Sequence, residues 1–324
     1  MALAVLTTGC VSTVLNLDSK ATQPIPAKLV GEMSRKSMSP SSPILVRIFK
    51  DESELEIWKR DSSGKYALLK TYPMCRWSGK LGPKTRTGDR QAPEGFYHVN
   101  AGMLNPNSQY YLSFNLGYPN KLETALGYSG EALMVHGACS SSGCFALTDQ
   151  GVAEIYAIAR EALKGGQTSF QVQAFPFRMT AKNMARNRNN PNFAFWSDLK
   201  NGYDIFEVTR RQPKVSYCGR RYVFDANFVG GEPHDPLAAC PPTVGGEDPA
   251  VTSRSEADRI AMENLLLSGM AFREHAYTDG GMNLAFRKLL ERNGEKSLAK
   301  TISLTSVPIS RPEAAIADPH REDE

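Results

Sequence analysis

No apolar run in this 324-residue chain approaches the about 18–20 residues that a membrane-spanning helix needs. Charge of one sign is also scarce: 38 Lys and Arg against 34 Asp and Glu leave a formal net charge of +4. With no basic cluster interleaved by aromatics, the pattern argues against a nucleic-acid partner. Six cysteines are too few to scaffold a chain this long, and no CxxC pair suggests a zinc ribbon. No internal repeat is present, which excludes a solenoid. What remains is a composition of 41% hydrophobic and 22% charged residues, ordinary for a globular protein with one large domain or two smaller ones.

Against that plain background one string stands out, Val135-His136-Gly137-Ala138-Cys139-Ser140-Ser141-Ser142-Gly143-Cys144. It sets an imidazole and a thiol eight residues apart, in a segment too rich in Gly and Ser to be one strand or helix. A reactive thiol needs a neighbouring base, and histidine supplies one. Small residues let the backbone bend and bring its N–H groups near a bound carbonyl. This is the layout of a cysteine acyl-transfer site. Competing readings stay open. Cys139 or Cys144 could be a plain core thiol. The two could pair in an oxidising compartment. His136, Cys139 and Cys144 could ligate zinc, although a fourth ligand is missing.

The context of that string resembles the YkuD-type L,D-transpeptidase catalytic domain, most closely its YafK-like branch. Leu133-Met134-Val135 leads into His136-Gly137, and Ser142-Gly143-Cys144 closes the loop, as in the family core. Gly82-Pro83-Lys84 and the run from Gly88 to Tyr97 resemble the family's "G…TPxGxF" segment. Ser113–Asn120 and Phe175–Thr180 also match that branch, so the resemblance spans about residues 43–215, in the family's order. The chain departs from the common form in carrying Ser142 where a second histidine usually stands. Its loop is shorter, and Phe145-Ala146-Leu147 replaces the usual Asn or Arg after the cysteine.

The resemblance implies Cys144 as nucleophile and His136 as base, forming a thioester at meso-diaminopimelate of a peptidoglycan stem peptide. The acyl group then passes to an amine, either on another stem or on a lysine of an envelope lipoprotein. Water as acceptor would make the same site a hydrolase. A non-catalytic peptidoglycan-binding lipoprotein is the alternative from another class. No cofactor is expected. The carbonyl of Gly137 is expected to orient the imidazole, and the N–H groups of Gly143 and Cys144 to serve as oxyanion donors. Ser142 is expected to support the loop. Arg178 is the candidate for binding a substrate carboxylate, because a guanidinium pairs carboxylates bidentately. His98 reads as structural, the His234-Asp235 pair is discounted, and His275 and His320 carry no signal.

The first ten residues, Met1 to Cys10, read as the end of an export signal meeting a lipidation cysteine, which places the protein in the periplasm or cell envelope. A lipid anchor there would be its sole membrane contact. Residues 11–42 read as a linker. Richness in β-formers predicts a strand at 44–49 and alternation one around Leu55 and Ile57, with further strands expected at 66–72, 95–100, 110–115, 132–136 and 169–175. Thr148 or Asp149 should cap a helix ended by Gly165-Gly166, with Val152, Ile155, Ala159 and Ala162 inward. The expected fold is α+β, mainly β: a YkuD-like β-sandwich catalytic domain (43–180) with capping helices. A loop-rich accessory region (181–250) and a mixed helix/loop C-terminal extension (251–307) follow. Within them, helices are expected from Ser255 to about His275, capped through Asp258 with Ile260, Leu266, Leu267 and Met270 apolar, and from Met282 to Arg292. Cys218 and Cys240 flank a Gly/Pro-containing stretch and could pair. Residues 308–324 read as a disordered tail.

Overall fold

The computed structural model describes residues 20–269, 272–304, 307–317 and 319. The export segment with Cys10, and also Met270 and His320, lie outside the described residues. Two five-stranded sheets face each other. Strands β1 (Ile44–Phe49), β2 (Glu54–Arg60), β3 (Tyr66–Pro73), β5 (Gly95–Asn100) and β10 (Ser169–Phe175) form the first, in the order β3-β2-β1-β10-β5. The second comprises β4 (Arg76–Trp77), β6 (Leu104–Asn105), β7 (Ser113–Asn115), β8 (Met134–His136) and β9 (Phe145–Ala146), in the order β4-β9-β8-β7-β6. Parallel pairing occurs once in each sheet, between β1 and β10 and between β8 and β9.

Strand β1 shows why both faces of the first sheet are buried. Ile44, Val46 and Ile48 enter the core between the sheets, where Phe114 of the second sheet meets Phe170 edge-on at 5.6 Å. The alternate residues face the other way, Phe49 into a second apolar cluster with Trp196 and Tyr203, and Leu45 toward Phe206. Those partners belong to helix α5 (Phe193–Thr209), preceded by α1 (Ala27–Arg35), α2 (Lys121–Ala125), α3 (Asp149–Lys164) and α4 (Ala181–Arg186). Lys50 and Glu94, both fully buried, pair at 2.8 Å beneath this layer. Glu94 also accepts from the Gly82 amide and the Trp196 indole, which pins the segment leading toward the site.

Helix α3 starts and stops where its punctuation falls. Thr148 accepts from the Gly151 N–H as N-cap and Gly165 is the C-cap, while Val152, Ile155, Ala159 and Ala162 are buried in the main core. Residues 20–42 are not a free linker: α1 buries Leu29 and Met33 in that same core. The accessory region carries two short ribbons, β11 (Val215–Cys218) with β12 (Arg221–Phe224) and β13 (Asn227–Phe228) with β14 (Thr243–Val244). A Cys218–Cys240 disulfide closes it.

The C-terminal part holds α6 (Pro249–Leu267), α7 (Leu284–Asn293), α8 (Glu295–Ile302) and α9 (Pro312–Ile316). Helix α6 begins six residues before the expected Ser255, because Asp248 caps it ahead of Pro249. Ser255 and Asp258 reach across to Asp204 and Lys200 of α5 instead of capping. Ile260 and Leu267 are exposed. Within the segment read as a tail, α9 buries Ala314 and Ala315. Helices hold 34% and strands 20% of the described residues.

Candidate active site

The His136–Cys144 loop joins the two parallel neighbours at the centre of the second sheet. Val135 pairs with Phe145 and His136 with Ala146, and both Val135 and Phe145 point into the main core. Alternation therefore sends His136 and Ala146 to the opposite face. Continuing the register one residue back sets Cys144 beside Met134, on the same face as His136. The Met134 amide donates to the Cys144 thiol at 3.4 Å, and the thiol faces the Ala132 carbonyl at 3.7 Å. Cys144 is half-buried and is the free cysteine among the described residues.

His136 is 2% exposed, with Tyr110 over its ring at 4.7 Å. Its Nδ1 lies 2.6 Å from the Gly137 carbonyl oxygen. A carbonyl only accepts, so Nδ1 carries the proton and Nε2 presents its lone pair. Burial pushes the imidazole down to about 4, against a smaller upward pull from the Gly137 carbonyl. Burial also pushes the Cys144 thiol up, partly offset by the Met134 amide and the Lys84 charge. Both shifts favour the neutral forms of the two groups at pH 7. No hydrogen bond joins them in this state.

The backbone between them is held in an unusual shape. Ala138 and Cys139 both have positive φ, 63° and 35°, a conformation that side chains rarely tolerate. Two attachments hold them there. The Ala138 amide donates to Asp149 Oδ1 at 2.9 Å, and Cys139 is disulfide-bonded to Cys75 across 64 residues. Gly137 is required by contact, since a Cβ would come within 2.5 Å of Asp149 Oδ1 and 2.9 Å of the Tyr110 carbonyl. Gly143 adopts φ of 126°. The disulfide corrects the readings of Cys139 as a free thiol, a Cys144 partner or a zinc ligand.

The amides expected as oxyanion donors are already engaged. Gly143 N–H donates to Ser78 Oγ at 2.6 Å and Cys144 N–H to Ser141 Oγ at 3.2 Å. Ser141 Oγ in turn donates to the Cys144 carbonyl at 2.8 Å, so Ser78 and Ser141 cradle the loop. Ser142 is exposed and accepts from Arg90 at 3.0 Å. Arg90, itself at positive φ (57°), also donates to the Ser141 carbonyl and to Asp279.

Arg178 is elsewhere. It pairs with Glu54 at 2.6 Å and Glu56 at 2.8 Å on β2 of the first sheet, which consumes the guanidinium that sequence assigned to substrate. His98 lies on β5, and His275 is buried against Asp51 at 3.0 Å. Sequence reasoning passed over Ser78, Arg90, Asp149, Asp279 and Ser310. Of these, Arg90 fell inside the Gly88–Tyr97 segment already singled out, and Asp149 had been seen as a helix cap.

The YkuD family, the L,D-transpeptidase catalytic domain, matches residues 44–166. YafK of Escherichia coli (strain K12), an L,D-transpeptidase by provisional name, is 44% identical over 222 residues, 68% of this chain and 87% of that protein. The protein of the same name in Escherichia coli O157:H7 matches to the same extent. Among solved structures, the helical cell shape determining protein Pgp2 from Campylobacter jejuni aligns at 18% identity and a TM-score of 0.34, over 62% of this chain and 82% of its own. Bd1075 of Bdellovibrio bacteriovorus aligns at 15% identity and a TM-score of 0.31, over 55% and 78%.

Proposed function

This chain belongs to the YkuD family of L,D-transpeptidases, and from that premise we propose that it is a cysteine acyltransferase of peptidoglycan with Cys144 as nucleophile and His136 as base. The family acts on peptidoglycan stem peptides. The observation that carries the assignment is the neutral imidazole whose Nδ1–H is fixed on the Gly137 carbonyl, on the same sheet face as the free thiol.

The steps follow from the groups present. A donor peptide places its scissile carbonyl over Cys144. The thiol proton passes to His136 Nε2 as sulfur bonds to carbon, giving a tetrahedral oxyanion. The Cys144 amide, whose bond to Ser141 is the longer of the two, is the donor that the oxyanion recruits. Collapse expels the amine, which takes the proton from His136 and leaves a thioester. An incoming amine, on a second stem or a protein lysine, completes the transfer; water in its place gives hydrolysis. Arg90, paired with Asp279 and bonded to Ser142 and the Ser141 carbonyl, braces the loop beside the thiol. A periplasmic or envelope location belongs to the same proposal, because the substrate is found there.

The test is incubation with purified sacculi and muropeptides, with products and protein both read by mass. The native chain is expected to gain one acyl adduct and to change the muropeptide profile, while Cys144→Ser gains none. Binding to sacculi with no adduct and an unaltered profile would instead indicate a non-catalytic peptidoglycan-binding protein.

A further inference from the structure

The face of the second sheet that carries His136 and Cys144 is also the face that the C-terminal segment covers. Ala146, on that face, packs with Cys75 and Cys139 against Met282, Phe286, Leu290, Leu298, Ile302 and Ile309. The contact is polar as well as apolar. Ser310 Oγ accepts from the Ser141 amide at 2.8 Å and donates to the Ser141 carbonyl at 3.0 Å. Ser141 spends its hydroxyl on the Cys144 backbone, so two successive hydrogen-bonded links connect Ser310 to the nucleophile.

A second connection runs through charge. Asp279 is 5% exposed and sits among three guanidiniums: Arg90 at 2.8 Å, Arg311 at 3.2 Å and Arg76 at 3.7 Å. Arg90 reaches from this carboxylate to Ser142 and the Ser141 carbonyl. Arg76, fully buried, donates to the carbonyls of Asp279 and Ser310, so both ends of the segment are tied to β4. Gly280 makes the crossing feasible, because a Cβ there would meet the Trp77 carbonyl.

We propose that Asp279 and Ser310, which bind the face that carries Cys144, are positioning residues that hold Ser141–Cys144 in its acylating shape. The inference rests on the reading of Cys144 as nucleophile. Neither residue touches substrate; each acts through Ser141 or Arg90. Releasing them lets the loop relax and the thiol become better solvated. A loosened thiol meets small reagents more readily at neutral pH while losing its aim at a bound peptide.

The experiment uses the full chain with Ser310→Ala, Asp279→Asn, the hydroxyl-retaining Ser310→Thr, and Lys288→Ala as an exposed control on α7. Three readouts are taken: single-turnover acylation by a muropeptide, the pH midpoint of Cys144 alkylation by iodoacetamide, and thermal unfolding. Ser310→Ala and Asp279→Asn are expected to slow acylation at saturating peptide about tenfold or more, with half-saturation within about twofold. Their alkylation midpoint moves down, and Ser310→Thr and Lys288→Ala track the native chain. Acylation and alkylation midpoints unchanged in both variants, whatever happens to the melting temperature, would reduce the segment to packing. If even the native chain forms no acyl adduct, the acyltransferase reading fails, and the alkylation midpoint alone then decides whether the segment sets the thiol's environment.

Discussion

Asp149→Ala tests whether the loop between base and nucleophile is held in place from outside. Asp149 is 2% exposed at the start of α3, and its two oxygens accept from three donors: the Ala138 amide, the Ser303 hydroxyl and the Leu304 amide. Each hydrogen bond to a charged acceptor contributes about 1.5–3 kcal/mol net. Ser303 and Leu304 are partly or fully exposed and regain water, while the Ala138 amide is buried and does not. The expected loss is therefore about 3–4 kcal/mol, most of it from the stranded amide and the lost favourable charge at the helix start. That leaves a folded protein if its stability falls in the usual range of about 5–15 kcal/mol. With Ala138 and Cys139 no longer constrained from one side, the shared positive-φ turn relaxes, and acylation should fall about a hundredfold. Urea unfolding and single-turnover acylation measure the two effects on one preparation. A loss below about 1 kcal/mol with acylation within twofold of native would refute the reasoning.

Removing the Cys75–Cys139 bond by Cys75→Ala with Cys139→Ala frees a 64-residue loop, and chain entropy sets the expected destabilisation at about 4 kcal/mol. A midpoint in urea unchanged from native would show that the bond does not restrain the unfolded chain. The pH profile of kcat/KM should have its acid limb near pH 4 rather than 6.5, because His136 stays neutral down to that pH. The same depression means that the unfolded chain takes up this proton first, so the residue favours folding increasingly as pH rises from about 4 to 6.5. An acid limb at 6.5 would identify a solvated imidazole as the base.

Local signals were readable where local physics decides. Ile44–Phe49 became β1 and Thr148 capped α3, because a run of β-formers and a hydroxyl before a helix act over a few residues. The string itself offered the spacing of His136 and Cys144, while the sheet face that both occupy came from the β8–β9 register. What could not be read was settled by partners far along the chain. Cys139 found Cys75, 64 residues away, and Ser141 found Ser310. Arg178 has the right chemistry for a carboxylate, but Glu54 and Glu56 on a neighbouring strand reach it first. Ser255 and Asp258 resembled a cap until the facing helix presented Lys200 and Asp204. A local motif competes with every tertiary partner, and its spacing says nothing about those.

The attachment of Ser310 and Asp279 to the residue-141 loop also bears on how the molecule is made. Ribosomes deliver Cys144 long before Asp279, so the nascent polypeptide carries its thiol for more than a hundred codons without the groups that will seat it. A product cut short by a premature stop upstream of Asp279 would lack them permanently. Assembly of the loop's attachments therefore waits on residues translated more than a hundred codons after Cys144.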